Sequence, residues 1–503
     1  MNSKIIFWMN DDLSALALPK ILQEKYSFDI FGIFDITDKP KKFLAKQKLV
    51  NFSKIWFFHD HISKTNQKPD REFLKSIEEK YKVDLELLAS NERFFNKFNQ
   101  FYKFSPDEIL LILEQECKLF EKILDEIKPD FLITGITTLH YNHLFYKICQ
   151  ARGIKILMLR QSYLRGRYII ASRVHLIDDA QYDEKHNFSS LPEFQNYIKK
   201  YDTDKESSKY KAALPSNSKV KYLQSILKYL FSNNSNLKTH FTYYGRTKFA
   251  VFRITLIHTI KKKCREYFIN KNLIRNIKGK KPFIYFPLHI EPERSTLIAA
   301  PLFSNQIEVI TNITKSLPDG YDLYVKEHPM MILREWRSIS DYKQIMGLPN
   351  VILIHPSVKS DYIIKKSSLV VSINSTSGLE SGFYNKPSIS FSDQDFSYLS
   401  FVQQIKSFQE LPDAIKKSLK KKVNISDLNN YLNLIESNSF ESDIVDISAD
   451  FANIFHHNAF LVNVEIPIDK MQSFLEKHQN SFEKIAAEFV KKIQNYQSNK
   501  NWK

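Results

Sequence analysis

The chain has 503 residues and a formal net charge of +17, from 73 Lys and Arg against 56 Asp and Glu. A composition of 43% hydrophobic and 26% charged residues excludes a disordered or fibrous chain, and the length calls for more than one core, since single domains stop growing near ~250 residues. The three cysteines, Cys117, Cys149 and Cys264, are odd in number and widely spaced, which excludes a disulfide framework and a CxxC metal site and favours a reducing cytoplasm.

In the first part of the chain, strand-like apolar runs alternate with longer helical patterns. The first apolar run begins near the N-terminus and is followed by Asp11 and Asp12 before it reaches the length of the apolar segment of a signal peptide. We therefore expect a β-strand there. No apolar run approaches the ~20 residues that a membrane helix needs. The alternation predicts a parallel sheet with crossover helices, that is, a Rossmann-like acceptor-side domain over residues 1–185. The strand-like runs lie at 5–9, 28–34, 129–134 and 154–159, and a helix is expected at 141–152.

The region 186–280 is expected to be a basic, partly helical connector. Between residues 251 and 281, ten Lys and Arg face a single acid, Glu266. Such a run suits a polyanion: nucleic acid, an anionic membrane surface or a charged substrate. The region carries none of the sequence signatures of RRM, KH, OB or helix-turn-helix modules, so we predict no nucleic-acid partner. The alternative interpretation is a solvated helix face.

From residue 281 the pattern again predicts short buried strands between helices. Continuous apolar strands are typical of a parallel sheet that is covered on both faces. We therefore predict an α/β fold with two Rossmann-like domains facing across a cleft, the second over 281–400, followed by a helical region over 401–503 that packs across both domains. Strands are expected at 283–286, 321–325, 351–354, 369–373 and 388–391, and helices at 305–316, 357–366, 378–384 and 471–496.

Several enzyme motifs are absent from the sequence. The chain has no GxxxxGK[ST], GxGxxG, HExxH or GxSxG pattern, which leaves P-loop, classical dinucleotide, zincin and α/β-hydrolase chemistry without their signatures. Two DxD triplets, at 202–204 and 393–395, are expected by chance among 56 acids. We predict neither a metal site nor a bound cofactor.

The segment 326–329, Lys-Glu-His-Pro, follows a predicted strand. Pro329 ends the strand because it has no N–H, so His328 is expected at the edge of the sheet. There the imidazole can donate to a phosphate oxygen or neutralise a leaving group, and Lys326 can add a positive charge. Lys326 and Glu327 are therefore counted with the ligand-binding residues. A structural role, capping nearby carbonyls, is the alternative for His328.

The segment 375–380, Ser-Thr-Ser-Gly-Leu-Glu, lies between a predicted strand and a helix. Hydroxyls and backbone N–H groups at such a junction can bind phosphate, and Gly378 would let the ligand approach closely. Glu380 is expected to accept hydrogen bonds from ribose hydroxyls. It also completes an S-x-x-E capping box with Ser377, which is a purely structural alternative. The hydroxyl residues of the segment are Ser375, Thr376 and Ser377.

Further candidates follow other strand ends and are expected to bind substrate. Where each lies, a surface loop, a capping histidine or a solvated charge is the alternative interpretation. In the second domain the candidates are His289, Glu291 and Arg294. In the first domain they are His140, with His143 beside it, and Arg160, whose guanidinium suits a carboxylate or phosphate.

The order of these segments resembles the C-terminal domain of capsular and surface polysaccharide biosynthesis proteins with the two-domain GT-B glycosyltransferase fold, over roughly residues 283–391. In bacterial sialyltransferases and Kdo-type capsule transferases, a His-Pro motif and a Ser/Thr motif hold the phosphate of a CMP-sugar; His328 and Ser375 to Ser377 match them. The resemblance implies a metal-independent transfer from a nucleotide-sugar donor to a glycan or lipid-linked acceptor at the cytoplasmic face of the plasma membrane. The general base of such enzymes is an acidic residue followed by Asp-Gly, which Asp178-Asp179-Ala180 matches loosely.

Three other functions stay open on the same residues. The His-Pro and Ser/Thr pairing also resembles that of CDP-alditol phosphotransferases of teichoic-acid type. A UDP-sugar 2-epimerase shares the architecture but would need several acids converging on the sugar. The non-enzymatic alternative is a basic membrane-surface scaffold with a vestigial fold.

Overall fold

The computed structural model describes residues 3–95, 98–201, 227, 229–231, 240–456 and 463–498. The DxD triplet at 202–204 and most of the predicted connector before residue 240 lie outside this range. The first part of the chain forms a sheet in which five buried, apolar strands run parallel and a sixth is antiparallel to β5. The order is β6-β5-β4-β1-β2-β3. The strands are β1 (Lys4–Met9), β2 (Asp29–Phe34), β3 (Lys54–Phe57), β4 (Phe131–Gly135), β5 (Lys155–Gln161) and β6 (Arg167–Ala171).

Helices cover the faces of this sheet and connect its strands. The longest of them starts at a capping box in which Ser105 and Glu108 satisfy each other's backbone N–H groups. The helices are α1 (Ala17–Lys25), α2 (Asp38–Lys46), α3 (Arg71–Tyr81), α4 (Leu85–Ser90), α5 (Pro106–Ile127) and α6 (His140–Ala151). Two further helices, α7 (Leu191–Ile198) and α8 (Lys248–Asn272), lie between the domains in sequence.

The second sheet is parallel throughout, and its order is β12-β11-β10-β7-β8-β9. Its central strands are buried on both faces, as their continuous apolar sequence requires. The strands are β7 (Phe283–Pro287), β8 (Asp322–Lys326), β9 (Val351–Ile354), β10 (Leu369–Ser372), β11 (Ser388–Ser390) and β12 (Val402–Gln404). The helices are α9 (Arg294–Leu297), α10 (Gln306–Lys315), α11 (Ile339–Met346), α12 (Ser360–Lys366), α13 (Ser377–Phe383), α14 (Leu411–Ser418) and α15 (Ile425–Ser437).

The end of the chain returns to the first domain. Strand β13 (Phe440–Glu441) pairs antiparallel with β6, and helices α16 (Ile444–Phe455), α17 (Ile468–Lys477) and α18 (Gln479–Ser498) follow. Their apolar side chains, such as Phe474 and Phe489, join the core that contains Ile5. The last three helices therefore pack on the first sheet alone, whereas α14 and α15 of the same predicted region pack on the second domain and at the domain boundary.

The α/β class with two Rossmann-like domains is confirmed by these two parallel sheets. The domains meet through polar and apolar contacts. The Arg294 guanidinium donates to the Thr137 carbonyl at 2.9 Å, and Arg160 lies 3.1 Å from the Asp395 carboxylate. One apolar cluster contains side chains of both domains, among them Ile169 and Phe396. In the described part of the chain, no helix combines the length and apolar character needed to cross a membrane.

Candidate functional site

The carboxyl edge of the second sheet brings together most of the residues that the sequence predicted. Strand β8 leads into His328, the adjacent β7 leads into His289, and β10, on the other side of β7, leads into Ser375. In the register of this sheet Pro287 lies beside Lys326. Ligands of parallel α/β sheets bind outside this edge, so the segments share one binding region.

The protonation state of His328 follows from its backbone surroundings. Its Nδ1 accepts a hydrogen bond from the Met330 N–H at 3.2 Å, so the proton of the neutral ring lies on Nε2. Burial, and then the charge of Lys326, lower the pKa of His328 to about 4. At neutral pH the half-buried imidazole is therefore a neutral donor through Nε2–H.

Glu327 holds the His328 segment in place through hydrogen bonds. Its side chain is fully buried, and one oxygen accepts from the His328 N–H at 2.5 Å. The other accepts from Arg337 Nε at 3.0 Å and from the Tyr342 hydroxyl at 2.7 Å. Arg337 also pairs with Glu291 at 3.0 Å. Both predicted carboxylates are thus engaged within the protein and hold two loops to each other.

His289 connects the two ligand-binding segments. Its Nε2 accepts from the Asn374 N–H at 3.1 Å, directly before the Ser375 segment, and its own N–H donates to Gln306 at 2.7 Å. The ring is buried, and burial lowers its pKa to about 4. The structure therefore makes His289 a neutral bridge between loops, where the sequence predicted a substrate contact.

The Ser375 segment presents hydroxyls at the start of α13. Ser375 Oγ accepts from the Ser377 N–H at 3.1 Å, which leaves the Ser375 hydroxyl proton available for donation. The expected capping box does not form: the helix begins at Ser377, and its N-cap residue, Thr376, makes no side-chain cap. A Cβ on Gly378 would meet the Phe396 ring at 3.3 Å, so this glycine serves packing against Phe396.

Glu380 faces the same region from the first turn of α13. Its carboxylate accepts from the Thr376 hydroxyl at 2.7 Å, and burial raises its pKa, opposed by Thr376 and by the charges of Arg165 and Lys326. Lys326 donates to Ser360 at 3.0 Å, and burial lowers the pKa of its ammonium to about 8. A cation and a carboxylate thus lie close together behind the Ser375 hydroxyls.

Arg294 reaches across to the first domain. It donates to the Thr137 carbonyl and lies near His143. Burial, and then the charges of Lys147 and Arg294, lower the pKa of His143 to about 3. His143 in turn bonds the Thr137 hydroxyl through Nδ1 at 2.9 Å. The predicted residues Arg294 and His143 therefore meet at the domain boundary.

Two other predicted contacts are enclosed in the protein. His140 lies between two buried carboxylates, at 2.8 Å from Glu92 and 3.0 Å from Glu116. Although burial opposes its charge, the attraction of Glu116 and hydrogen bonds to both carboxylates raise the pKa of His140 to about 10. Arg160 is also buried, against Asp395, a carboxylate of the DxD triplet at 393–395. Neither side chain is exposed to a ligand.

The predicted base residues lie beside the last helix. Asp178 accepts from the Ser172 N–H and, at 2.7 Å, from the Ser172 hydroxyl, and its backbone carbonyl accepts from Lys492 at 3.2 Å. Asp179 is exposed, with a positive φ of 49°. Asp178 therefore closes a turn, and the structure does not bring it to the edge of the second sheet.

Two carboxylates that the sequence analysis missed lie at strand ends. Burial raises the pKa of Glu293, although its carboxylate accepts from the Ser295 hydroxyl at 3.0 Å and lies near Arg334 and Arg93 of the first domain. Asp11 follows β1; burial and then the neighbouring Asp35 raise its pKa to about 6. A hydrogen bond from its own backbone N–H opposes this shift only in part. Their positions in the loops that follow apolar strands, two residues after β1 for Asp11 and six after β7 for Glu293, were the signal that could have found them.

Three comparisons with known proteins complete the description. The family model described as "Capsule polysaccharide biosynthesis protein" matches residues 138–433. A search of curated sequences returned no match. Among solved structures, the chain is similar to Thermosulfurimonas dismutans KpsC, a beta Kdo 2,7 transferase, at 11% identity and a TM-score of 0.30, covering 67% of this chain and 89% of that one. It is also similar to Methanocaldococcus jannaschii UDP-GlcNAc 2-epimerase at 12% identity and a TM-score of 0.27, covering 84% and 94%.

Proposed function

Because this chain belongs to the capsule polysaccharide biosynthesis protein family, whose model spans residues 138–433, we propose that it is a glycosyltransferase. It transfers a sugar from a nucleotide-sugar donor, of which a CMP-linked acidic sugar is the first choice, to a glycan or lipid-linked acceptor. The donor lies at the carboxyl edge of the second sheet, and the acceptor approaches from the first domain.

The observation that carries this proposal is the pairing of neutral donors on two strand ends. His328 Nδ1 and Ser375 Oγ act as acceptors within their segments, and in the described part of the chain the His328 Nε2–H and the Ser375 hydroxyl proton donate to no other group. When the glycosidic C–O bond breaks, negative charge accumulates on the departing phosphate, and fixed donors stabilise that charge more in the transition state than in the ground state. Lys326 adds a cation behind them.

The other predicted residues of the edge take supporting roles in this reaction. The Ser377 side chain lies in the turn that presents Ser375, and Thr376 orients Glu380 through their 2.7 Å hydrogen bond. Glu380 accepts hydrogen bonds from the ribose hydroxyls. Glu327 and His289 position the phosphate donors without touching the ligand.

Glu293 is our choice for the general base. It lies at the domain boundary, between Arg93 and Arg334, and its raised pKa suits a group that takes a proton from an acceptor hydroxyl near neutral pH. The carboxylate of Asp178, the base predicted from the sequence, accepts hydrogen bonds from both the N–H and the hydroxyl of Ser172. Glu293→Gln should reduce kcat by a factor on the order of 100 or more, whereas Asp178→Asn should leave the pH profile of kcat unchanged.

We further propose that transfer needs no metal ion. Imidazole N–H, hydroxyl and ammonium groups face the phosphate region, and these donors neutralise an anion directly but do not coordinate a cation in these protonation states. Turnover of the purified enzyme should therefore be the same in EDTA and in Mg²⁺.

A thermal-shift panel with CMP, CDP, UDP and GDP tests the donor site. A nucleotide present at a hundred times its Kd stabilises the protein by about 2.7 kcal/mol, and His328→Ala should remove most of that shift. His61→Ala, which replaces an exposed histidine outside the second sheet, is the matched control. A shift with CMP alone supports the sialyl- or Kdo-like donor, CDP points to the alditol phosphotransferase, and UDP to another transferase or an epimerase. Failure of all four nucleotides would contradict the donor site.

A further inference from the structure

Helix α8 carries apolar side chains on two opposite faces. One face attaches the helix to the protein: Ile254 and Ile269 are buried, and Arg265 donates to the carbonyls of Glu335 and Trp336 at 3.1 and 3.0 Å. His258, which lies between Ile254 and Ile269 in the sequence, forms hydrogen bonds with Glu335 of the second domain at 2.6 Å and with Gln100 of the first at 2.7 Å. The orientation of the helix is therefore fixed by contacts with both domains.

The opposite face is apolar and exposed to solvent. Its residues lie three, four or, in one case, seven positions apart, that is, one or two helical turns, so they form one stripe on the helix. Phe249, Phe252, Ile260 and Tyr267 are 75%, 59%, 57% and 67% exposed, and Leu256 lies among them at 54%. At the start of the helix, Lys248 bonds the Leu230 carbonyl, which places the exposed Phe231 nearby. A solvated helix face, the alternative from sequence, does not account for exposed aromatic rings at this spacing.

The charge beside this stripe is almost purely positive. Helix α8 contains seven Lys and Arg and one acid, Glu266. Arg253, Lys261 and Lys263 are exposed among or next to the apolar residues. Aromatic and aliphatic side chains flanked by long cationic side chains match the boundary between lipid headgroups and acyl chains.

We propose that the outer face of α8 docks on an anionic membrane surface. The apolar stripe inserts at the level of the headgroups, and the lysines contact acidic lipids. A protein partner would bury the rings equally well, but the charge complementarity favours the lipid surface. Docking itself does not depend on the proposed function; only its purpose, access to a lipid-linked acceptor, rests on that function.

Vesicle co-sedimentation tests the docking. The full-length protein should sediment with vesicles of equal parts phosphatidylcholine and phosphatidylglycerol but not with phosphatidylcholine alone, and added salt should release it. The triple variant Lys261→Gln/Lys262→Gln/Lys263→Gln should bind on the order of a hundredfold more weakly. Lys416→Gln/Lys417→Gln/Lys420→Gln makes the same charge change on another exposed surface and should bind like wild type.

The apolar stripe is tested by Phe249→Ser/Phe252→Ser/Ile260→Ser, which should lower vesicle affinity at least about tenfold. Leu302→Ser, at a residue 70% exposed elsewhere, should not. Equal losses in both lysine variants, or unchanged binding in the apolar variant, would overturn the proposal. So would a dimer in light scattering that the apolar variant dissociates, because the face would then join two copies. Nucleotide thermal shifts, measured without vesicles, report separately on the donor site.

Discussion

The carboxyl edges of the two parallel sheets differ in the charges that they hold. The edge of the first sheet collects acids: Asp11 follows β1, and Asp35 follows β2, where it accepts from Tyr141 at 2.6 Å and pairs with His59 at 2.8 Å. The edge of the second sheet presents His328, Lys326 and the Ser375 hydroxyl. One topology thus supports an acceptor-rich edge and a donor-rich edge.

This difference matches the needs of a group transfer between two substrates. A departing phosphate requires hydrogen-bond donors and cations, while sugar hydroxyls are bound by hydrogen-bond acceptors such as carboxylates. Glu293, the proposed base, belongs to the second domain and lies near Arg93 of the first. The donor-rich edge also depends on a buried ion network for its shape, whereas at the first edge burial and the neighbouring Asp35 oppose the charge of Asp11. The two edges should therefore respond in opposite directions when a charge is removed.

The largest effect is expected from Arg337→Ala. The substitution leaves Glu327 buried without its cation, and breaking a buried ion pair in this way costs about 3–5 kcal/mol. Denaturant unfolding measures the loss. Arg71→Ala, which removes an exposed ion pair with Asp107, should cost about 1 kcal/mol or less. Similar losses for the two variants would contradict the structural role of the network.

Next in size is the effect of His328→Ala on turnover. Removing one fixed donor to a developing anion typically lowers kcat by about 100- to 1000-fold. Since the ring is neutral near pH 7, His328→Gln, which keeps an N–H donor, should recover part of the loss. The kcat of wild type should also show no ionisation of His328 between pH 6 and 8. A Gln variant as inactive as the Ala variant, together with such an ionisation, would show that the imidazolium form acts.

The sequence predicted strand ends better than side-chain partners. The segments around His328 and Ser375 follow continuous apolar runs, which can be recognised in the sequence alone. The burial of His140 between two carboxylates could not be predicted, because Glu92 and Glu116 are 48 and 24 residues away in the chain. Arg160 was likewise predicted to bind a ligand, because its partner Asp395 belongs to the other domain and the pairing cannot be recognised in the sequence. The tautomer of His328 depends on the local backbone geometry at Met330, which composition and spacing do not encode.

The first edge is tested by Asp11→Asn, which should stabilise the protein. Because the pKa of Asp11 is raised to about 6 in the folded state, from 3.8, ionisation costs folding free energy that is absent below pH 4 and complete above pH 6. The variant should gain about 1–3 kcal/mol at pH 7.5 and nothing at pH 4, measured by denaturant unfolding. Asp12→Asn is the matched control: its carboxylate accepts from Ser14 and Ser448, so its loss should destabilise by about 1 kcal/mol. A destabilised Asp11→Asn variant would contradict the net cost of burying this charge beside Asp35.

The smallest effect sharpens the role of Glu380, the carboxylate that we propose contacts the ribose at the second edge. Glu380→Gln keeps the shape of the side chain and an oxygen for Thr376 but removes the charge that binds ribose hydroxyls, so nucleotide affinity should fall about tenfold. If the ribose is the target, wild type should bind a 2′-deoxynucleotide more weakly than the ribonucleotide, and the variant should show little difference between the two. Titration calorimetry of both proteins with both ligands gives the four affinities of this double-mutant cycle. An undiminished preference for the ribonucleotide in the variant would leave Glu380 with a purely structural contact to Thr376.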